Sequence, residues 1–443
     1  MGSVIGELAS FVGGTKASTL PAAERERLEL HLTDTVVAAL AGARIPEGKA
    51  LQNFGDARAL ADRIGRRAAA IRLTEIDDIH LPSCTTPSAG IVPVALALAA
   101  SLQNFDADEI ASAIWAGTEI MTRIGAAARG PQILYRGIWP TYLAAPVAAA
   151  ATAARLFGLD EARTGHALSL AFMLMAGGVG RIHGAPSGRW FLYANAVAAG
   201  VAAAEAARAD YRGDPRLLDK SWFADTHGIA LDRARLTHGL GSGSVYAALS
   251  IKPFCSAKQA IAAVQAFRAI MREENLHLDA IAKVRVRVPP AYAGMIATRA
   301  EPGARQSTMV SVAYQIALAI LAPERLYDVD RSTPAADTDV MQFAAKVEVV
   351  PETALESFYP QHWPAEVEVE AGGKVLKRRV VAAAGDPEHP LGRAGIDDKA
   401  HRVLDPMLGA ARVDEWLTIC HGALVDSAGC KDLVAAFARE DGN

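Results

Sequence analysis

IAKVRVRVPP, residues 281–290, marks a change in the texture of the chain. Val284, Val286 and Val288 alternate with lysine and arginine at the period of a half-exposed strand. AKVEVVPE (345–352) alternates in the same way. AEVEVEAGGKVLKRRVVAAAG (365–385) is two alternating runs around Gly372-Gly373, the signal of a β-hairpin. TMVSVAYQIALAILAP (308–323) between them has the pattern of an amphipathic helix that proline ends. Together these segments predict a small α+β domain over residues 269–398 that contains an antiparallel sheet.

Outside that region the pattern is helical. AERERLELHLTDTVVAALAGA (23–43) spaces Leu28, Leu32, Val36, Ala39 and Leu40 at about 3.6 residues. VPVALALAASLQN, DADEIASAIWAGTEIMTRIGAAA and PTYLAAPVAAAATAARLFG follow suit, and LDEARTGHALSLAFMLMA opens on acids suited to a helix start. Beyond residue 398 helical spacing returns. The fold predicted is mainly α: a large helical domain of residues 1–268 and 399–443, with the α+β domain inserted as a lid. Clefts between such domains are favoured places for small-molecule sites.

The bulk numbers fit this reading. A chain of 443 residues is too long for one ordinary core. Its 45 basic and 49 acidic residues give a net charge of -4, which offers no field for nucleic acid. Cys84, Cys255, Cys420 and Cys430 form no CxxC pair and no zinc spacing, which points to reduced thiols in a cytoplasmic protein and to no metal site. The first residues lack the basic and apolar regions of a signal peptide, and the alanine-rich runs fall short of the roughly 20 apolar residues that span a bilayer. No membrane partner is expected. So many apolar helices suggest that some are covered by a second subunit.

Four stretches could carry chemistry. EIDDIHLPSCTTPSAG (75–90) sets Glu75, Asp77 and Asp78 before His80 and a hydroxyl-rich loop with Thr86. Clustered acids tune one another for acid–base work, and a helix start favours an anion. The plain alternative is an acidic turn with an N-cap. RGPQILYRGIWPT (129–141) offers Arg129 and Arg136, a pair suited to a carboxylate or simply to solvent. GGVGRIHGAPSGRWFL (177–192) brings Arg181, His183 and Arg189 among glycines, without a dinucleotide fingerprint. SIKPFCSAKQAI (250–261) holds Lys252, Cys255 and Lys258 before a helix. Lysine shifts its proton affinity readily when buried, whereas Cys255 reads as a structural thiol.

LTDTVVAALAG, DDIHLPSCTTPSAGIVPVALALA, GIWPTYLAAPVAAAATAARLFGLDEARTGHALSLA, IKPFCSAKQAI and STMVSVAYQIALAIL occur in an order that resembles the MmgE/PrpD family. That family includes 2-methylcitrate dehydratase, cis-aconitate decarboxylase and iminodisuccinate epimerase. The resemblance implies a helical domain with an α+β lid, a homodimer formed through the helical domain, an active site between the domains, and no metal or cofactor. It implies proton removal next to a carboxylate of a small organic acid.

The family's site carries over only in part. Lys252 matches its later lysine, and Tyr314 its lid tyrosine. Its Asp-Asp-Thr run is Asp77-Asp78-Ile79 here, and an aspartate two residues earlier is Glu75. Thr86 and Trp139 stand where histidines are usual, and Arg189 and Leu192 replace the lysine and histidine of a K-x-x-H run. These departures suggest a changed substrate or reaction. The expectation is a cofactor-independent, dehydratase-like lyase. Lys252 and Tyr314 would bind or protonate the substrate, and Asp78 or His183 would move the proton. Arg129, Arg136, Arg181 and Arg189 would hold anionic groups, with Thr86, Trp139 and Lys258 shaping the pocket. An epimerase, a double-bond isomerase or a decarboxylase is the alternative, and a non-catalytic carboxylate-binding protein is a third reading.

Overall fold

The computed structural model describes residues 2–56, 58–102, 105–175, 188–301, 304–331 and 338–440. Most of these residues are helical, and two apolar cores organise them.

In the larger core Pro140–Leu156, a helix buried over most of its length, packs against Ser88–Leu102, Ala107–Ala127 and Gly188–Arg208. Leu60–Leu73 packs on Gly188–Arg208 and Ser88–Leu102 and brings in Ala22–Gly42, itself buried over most of its length. Local signals set their ends. Asp106 accepts from the Glu109 N–H at 2.8 Å while Glu109 accepts from the Asp106 N–H at 3.1 Å, a reciprocal cap. Asp160 likewise caps Glu161–Met173. Alanine-rich faces let the helices approach closely. A Cβ on Gly65 would stand 2.2 Å from the Ala194 carbonyl oxygen, so Leu60–Leu73 touches Gly188–Arg208 backbone to backbone there. The C-terminal helices Arg393–Leu408, Ala410–Gly422 and Ser427–Arg439 return to this core.

Gly188–Arg208 is the one helix among the described residues long and apolar enough to cross a membrane, and half of it is buried inside the protein. Its outward face carries the exposed Phe191.

The smaller core lies under a four-stranded sheet. In chain order the strands are β1 (Ile79–His80), β2 (Leu249–Ser250), β3 (Ile281–Val288), β4 (Val347–Pro351), β5 (Ala365–Ala371) and β6 (Lys374–Val380). The last four form the sheet in the order β4-β3-β5-β6. Val284, Val286 and Val288 of β3 point inward with Val367 and Val369 of β5, all fully buried. Outward, Arg285 pairs with Glu368 and Glu370. The β5–β6 turn uses Gly372 and Gly373, both at positive φ, as a two-residue hairpin turn requires. The sheet is antiparallel except for β3 and β4, which run parallel. The helices between them supply the crossover that parallel pairing needs.

Lys258–Glu273 spans the position where the sequence places the boundary between the domains. Its apolar face belongs to the smaller core, against β5 and β6. Periodicity identifies a helix but not the core that receives it. The short β1 and β2 pair antiparallel, Ile79 opposite Ser250, and so join the early and late parts of the chain.

Candidate active site

The helix Leu60–Leu73 ends at Thr74, and Glu75 follows with φ 56°, a left-handed conformation uncommon outside glycine. The 255–256 segment holds this turn in place. The Cys255 thiol donates to the Thr74 carbonyl at 2.9 Å, and the Ser256 N–H to the Glu75 carbonyl at 3.3 Å. Because β1 pairs with β2, the residues just before β1 meet those just after β2. Lys252 Nζ thereby donates to Glu75 Oε2 at 3.0 Å and to Asp77 Oδ1 at 3.2 Å.

Two arginines complete the cluster. Arg72 Nη1 lies 3.0 Å from Glu75 Oε2 and 3.1 Å from Asp77 Oδ1. Arg189 Nη2 donates to Glu75 Oε1 at 2.9 Å, with its guanidinium carbon 3.8 Å from the centre of the Trp190 ring and 5.0 Å from that of Trp139. All five charged groups are buried.

The two acids respond in opposite ways. Burial pushes the Glu75 carboxyl up, but Arg72, Lys252 and Arg189 outweigh it and hold that group well below the usual carboxylate range. Asp77 has fewer cations and the Glu75 charge beside it, so burial wins and its carboxyl is raised. Asp77 Oδ2 has no hydrogen-bond partner among the described residues.

Arg72, Glu75 and Lys252 of this cluster form the floor of a small cavity of about 50 Å³ between the two cores. Arg72, Glu75, Thr86, Trp139, Thr141, Lys252 and Lys258 line it from the helical side. Met295, Gln306, Met309, Val310 and Trp363 close it from the α+β side. Lys258 pairs with the buried Asp386 at 2.5 Å. Thr86 donates its N–H to Thr141 Oγ1 at 3.0 Å. Cys84 also lines the cavity, and burial pushes its thiol up to about 12, so it stays protonated near neutrality.

Of the residues singled out from the sequence, Lys252, Lys258, Thr86 and Trp139 reach the cavity wall, and Arg189 touches the cluster through Glu75. Asp78 turns the other way. It accepts from the Ser88 N–H at 3.1 Å and the Ser88 hydroxyl at 2.5 Å, and its Oδ2 lies 3.0 Å from His31 Nδ1. Tyr314 is buried in its helix, its hydroxyl accepting from Arg325 at 3.3 Å, and it is not among the residues lining the cavity. Arg129 and Arg136 are exposed, and Arg136 donates to the Gly228 carbonyl at 3.4 Å. Arg181 and His183 lie outside the described residues.

The sequence reading missed Arg72 and Thr141. For Arg72 a signal was present: an arginine inside an apolar helical run, three residues before Glu75. Strand alternation also divides neighbours here. Ile79 faces the cavity, whereas His80 lines a separate open groove beside Glu119 and Arg123. All four cysteines are buried and unpaired.

The arrangement can hold an anion at the cavity floor and move a proton there between Lys252 and Asp77. Comparison with known proteins gives the chain its relatives. Residues 66–227 match the model of the MmgE/PrpD N-terminal domain, and residues 254–421 that of the MmgE/PrpD C-terminal domain. Over 243 residues it is 28% identical to the cis-aconitate decarboxylase-like protein oryM of Aspergillus oryzae (strain ATCC 42149 / RIB 40), a match covering 50% of each chain. The chain thus spans about half the length of that curated relative. With both domain models matched in order around one charged cavity, the chain belongs to the MmgE/PrpD family.

Proposed function

We propose that this protein is a lyase or isomerase that moves a proton on the carbon next to a carboxylate of a small organic acid, with dehydration as its lead reaction. The observation that supports this is the buried Lys252–Asp77–Arg72–Glu75 cluster on the floor of a closed-in cavity. A carbon beside a carboxylate is a feeble acid. Its removal needs a placed base and cations where charge gathers on the carboxylate.

Lys252 is the group assigned to the proton. Passing its proton to Asp77 leaves an amine that can take the substrate's C–H proton. Burial raises the Asp77 carboxyl, which suits it to receive that proton. Arg72 and Lys258 stabilise the carboxylate as it gains charge. In dehydration the C–H electron pair becomes the new C=C bond, the C–O bond at the adjacent carbon breaks, and hydroxide leaves as water with a proton returned by the ammonium or by Asp77. Asp78 acts one layer behind, through His31 and Ser88, and His183 is a further candidate proton carrier. The same reading takes the protein to act in the cytoplasm as a homodimer formed through the helical domain.

A second reading, an epimerase or double-bond isomerase, is favoured by one observation. Threonine and tryptophan occupy the usual histidine positions, and the described cavity wall holds no imidazole to protonate a leaving hydroxyl. The name of the Aspergillus relative supports decarboxylation as another member of the same reaction class.

The test is incubation in D₂O with hydroxy and unsaturated carboxylates, followed by proton NMR. Deuterium should enter the carbon next to the carboxylate with the native protein and not with Lys252→Ala or Lys252→Arg. Exchange at near-native rate in Lys252→Ala would refute the assignment. A protein that binds but leaves every C–H unlabelled would be a carboxylate-binding protein instead.

A further inference from the structure

We infer that the cavity reads an uncharged oxygen of its substrate, a hydroxyl or carbonyl on a carbon near the carboxylate, through a hydroxyl hydrogen supplied by the Thr86–Thr141 pair. The inference deepens the function proposed above and rests on it for the carboxylate.

A count of hydrogens carries the argument. Thr86 and Thr141 both line the cavity, and each is only 3% exposed. The Thr86 N–H donates to Thr141 Oγ1 at 3.0 Å, and the two hydroxyl oxygens lie 3.2 Å apart. Each hydroxyl has one hydrogen to give and two lone pairs. The contact between the oxygens uses one of the two hydroxyl hydrogens. The other finds no acceptor among the described residues. Whichever hydroxyl donates to its neighbour, one O–H is left for the cavity.

The fold explains why it is left over. Buried threonines elsewhere in the helical core return their hydroxyl to the carbonyl four residues back: Thr118 to Ile114 at 2.7 Å, Thr122 to Thr118 at 3.0 Å and Thr152 to Ala148 at 3.0 Å. Thr141 is the second residue of Pro140–Leu156, so the residue four before it, Gly137, lies outside the helix. Thr86 stands in the short link that leads into Ser88–Leu102, and Asp78 fixes that link by accepting from the Ser88 N–H and hydroxyl. Both hydroxyls are held in place without being consumed.

The order that polarises best runs from the amide through Thr141 to Thr86, because an oxygen that accepts a hydrogen bond gives its own hydrogen more strongly. Thr86 is then the donor to the ligand, and Thr141 the residue that positions it. A threonine hydroxyl orients an oxygen and draws charge from it, but is too weak an acid to release its proton. The proton transfers therefore stay with Lys252 and Asp77. A ligand that lacks the oxygen leaves a buried donor unpaired, which lowers affinity roughly 10- to 100-fold.

The test compares short acids of one chain length, since the cavity is only about 50 Å³. The probes are butanoate, 2-oxobutanoate and both enantiomers of 2-hydroxybutanoate and of 3-hydroxybutanoate. Binding is read by calorimetry in the full-length protein. At least one oxygenated acid should bind about 10-fold or more tightly than butanoate. Thr86→Val keeps the side-chain shape and the N–H bond to Thr141, and it should abolish that preference while leaving butanoate binding unchanged. Thr86→Ser should retain the preference. Equal binding of butanoate and the oxygenated acids, no binding of any oxygenated probe, or a preference that survives Thr86→Val would overturn the inference. Deuterium exchange separates the two readings. Lys252-dependent exchange with binding indifferent to the oxygen refutes this inference and leaves the reaction standing. An oxygen preference that Thr86→Val abolishes, with no exchange into any acid, refutes the reaction and leaves this inference standing.

Discussion

Lys399 donates to Asp34 Oδ1 at 2.5 Å and to the Ile76 carbonyl at 2.7 Å, so a C-terminal helix grips the turn that carries Glu75 and Asp77. Both partners are almost fully buried. Removing Lys399 leaves a buried carboxylate and a carbonyl without their donor. Lys399→Met should therefore lower stability by about 3–5 kcal/mol. Asp34→Asn combined with Lys399→Met should cost clearly less than the sum of the two single changes. Urea melts of the four proteins check this, and strict additivity would show that the pair is not coupled.

Glu75 predicts behaviour in strong acid. Its carboxyl is held below the ordinary 4.5 because, although burial raises it, Arg72, Lys252 and Arg189 lower it further. The folded state thus keeps the charge that the unfolded chain gives up. The stability this contributes is complete above pH 4.5 and is lost as the pH falls below it. Glu75→Gln should be less stable than the native protein at pH 7, and the gap should narrow toward pH 3 in thermal melts. A gap that stays constant would contradict the charge assignment.

His80 acts in a milder window. Burial pulls its imidazole down from 6.5 to about 4, against a smaller opposing pull from Asp78. Between these values the unfolded chain binds a proton that the folded chain refuses, so stability falls as pH drops from 6.5 toward 4. His80→Gln removes that contribution. Its melting temperature should decline less than that of the native protein across this range, and parallel declines would count against a neutral His80 imidazole in the folded state.

Gly65 links packing to the site. Gly65→Ala puts a methyl group against the Ala194 carbonyl, forcing apart the helices that carry Arg72 and Arg189. The expected cost is about 1–3 kcal/mol, with a further loss of activity because both guanidiniums converge on Glu75. Gly294→Ala is the control, since an added Cβ there meets nothing within 4 Å. It should be neutral or stabilising by up to about 1 kcal/mol through helix propensity. Activity unchanged in Gly65→Ala would show that the spacing of these helices does not tune the cluster.

Much of the architecture was legible in the sequence because it is written locally. Alternation announced β3, and Gly372-Gly373 announced the β5–β6 turn with both glycines at positive φ. The site was legible as residue types but not as directions. Asp77 and Asp78 are neighbours in sequence, yet one meets Lys252 and the other His31 and Ser88. That division depends on β1, a strand of two residues and too short to leave a periodic trace. Arg72 escaped notice because its helical run reads as core until Lys252 arrives from the far side of the β1–β2 pair. Arg129 and Arg136 look like Arg189 in composition, and tertiary packing alone separates exposed guanidiniums from a buried one.

The sequence separation of 177 from Glu75 to Lys252 also bears on how the protein is made. At about 5–20 residues per second on the ribosome, roughly 10–35 s pass between the emergence of the acids and that of their lysine. During that interval Glu75 and Asp77 have Arg72 nearby but not Lys252, and they stay hydrated at the end of an unfinished helix bundle. The site is thus completed late in synthesis, by closure of a very long loop, and a nascent chain that stalls before β2 carries the acids with no means of sealing them from water.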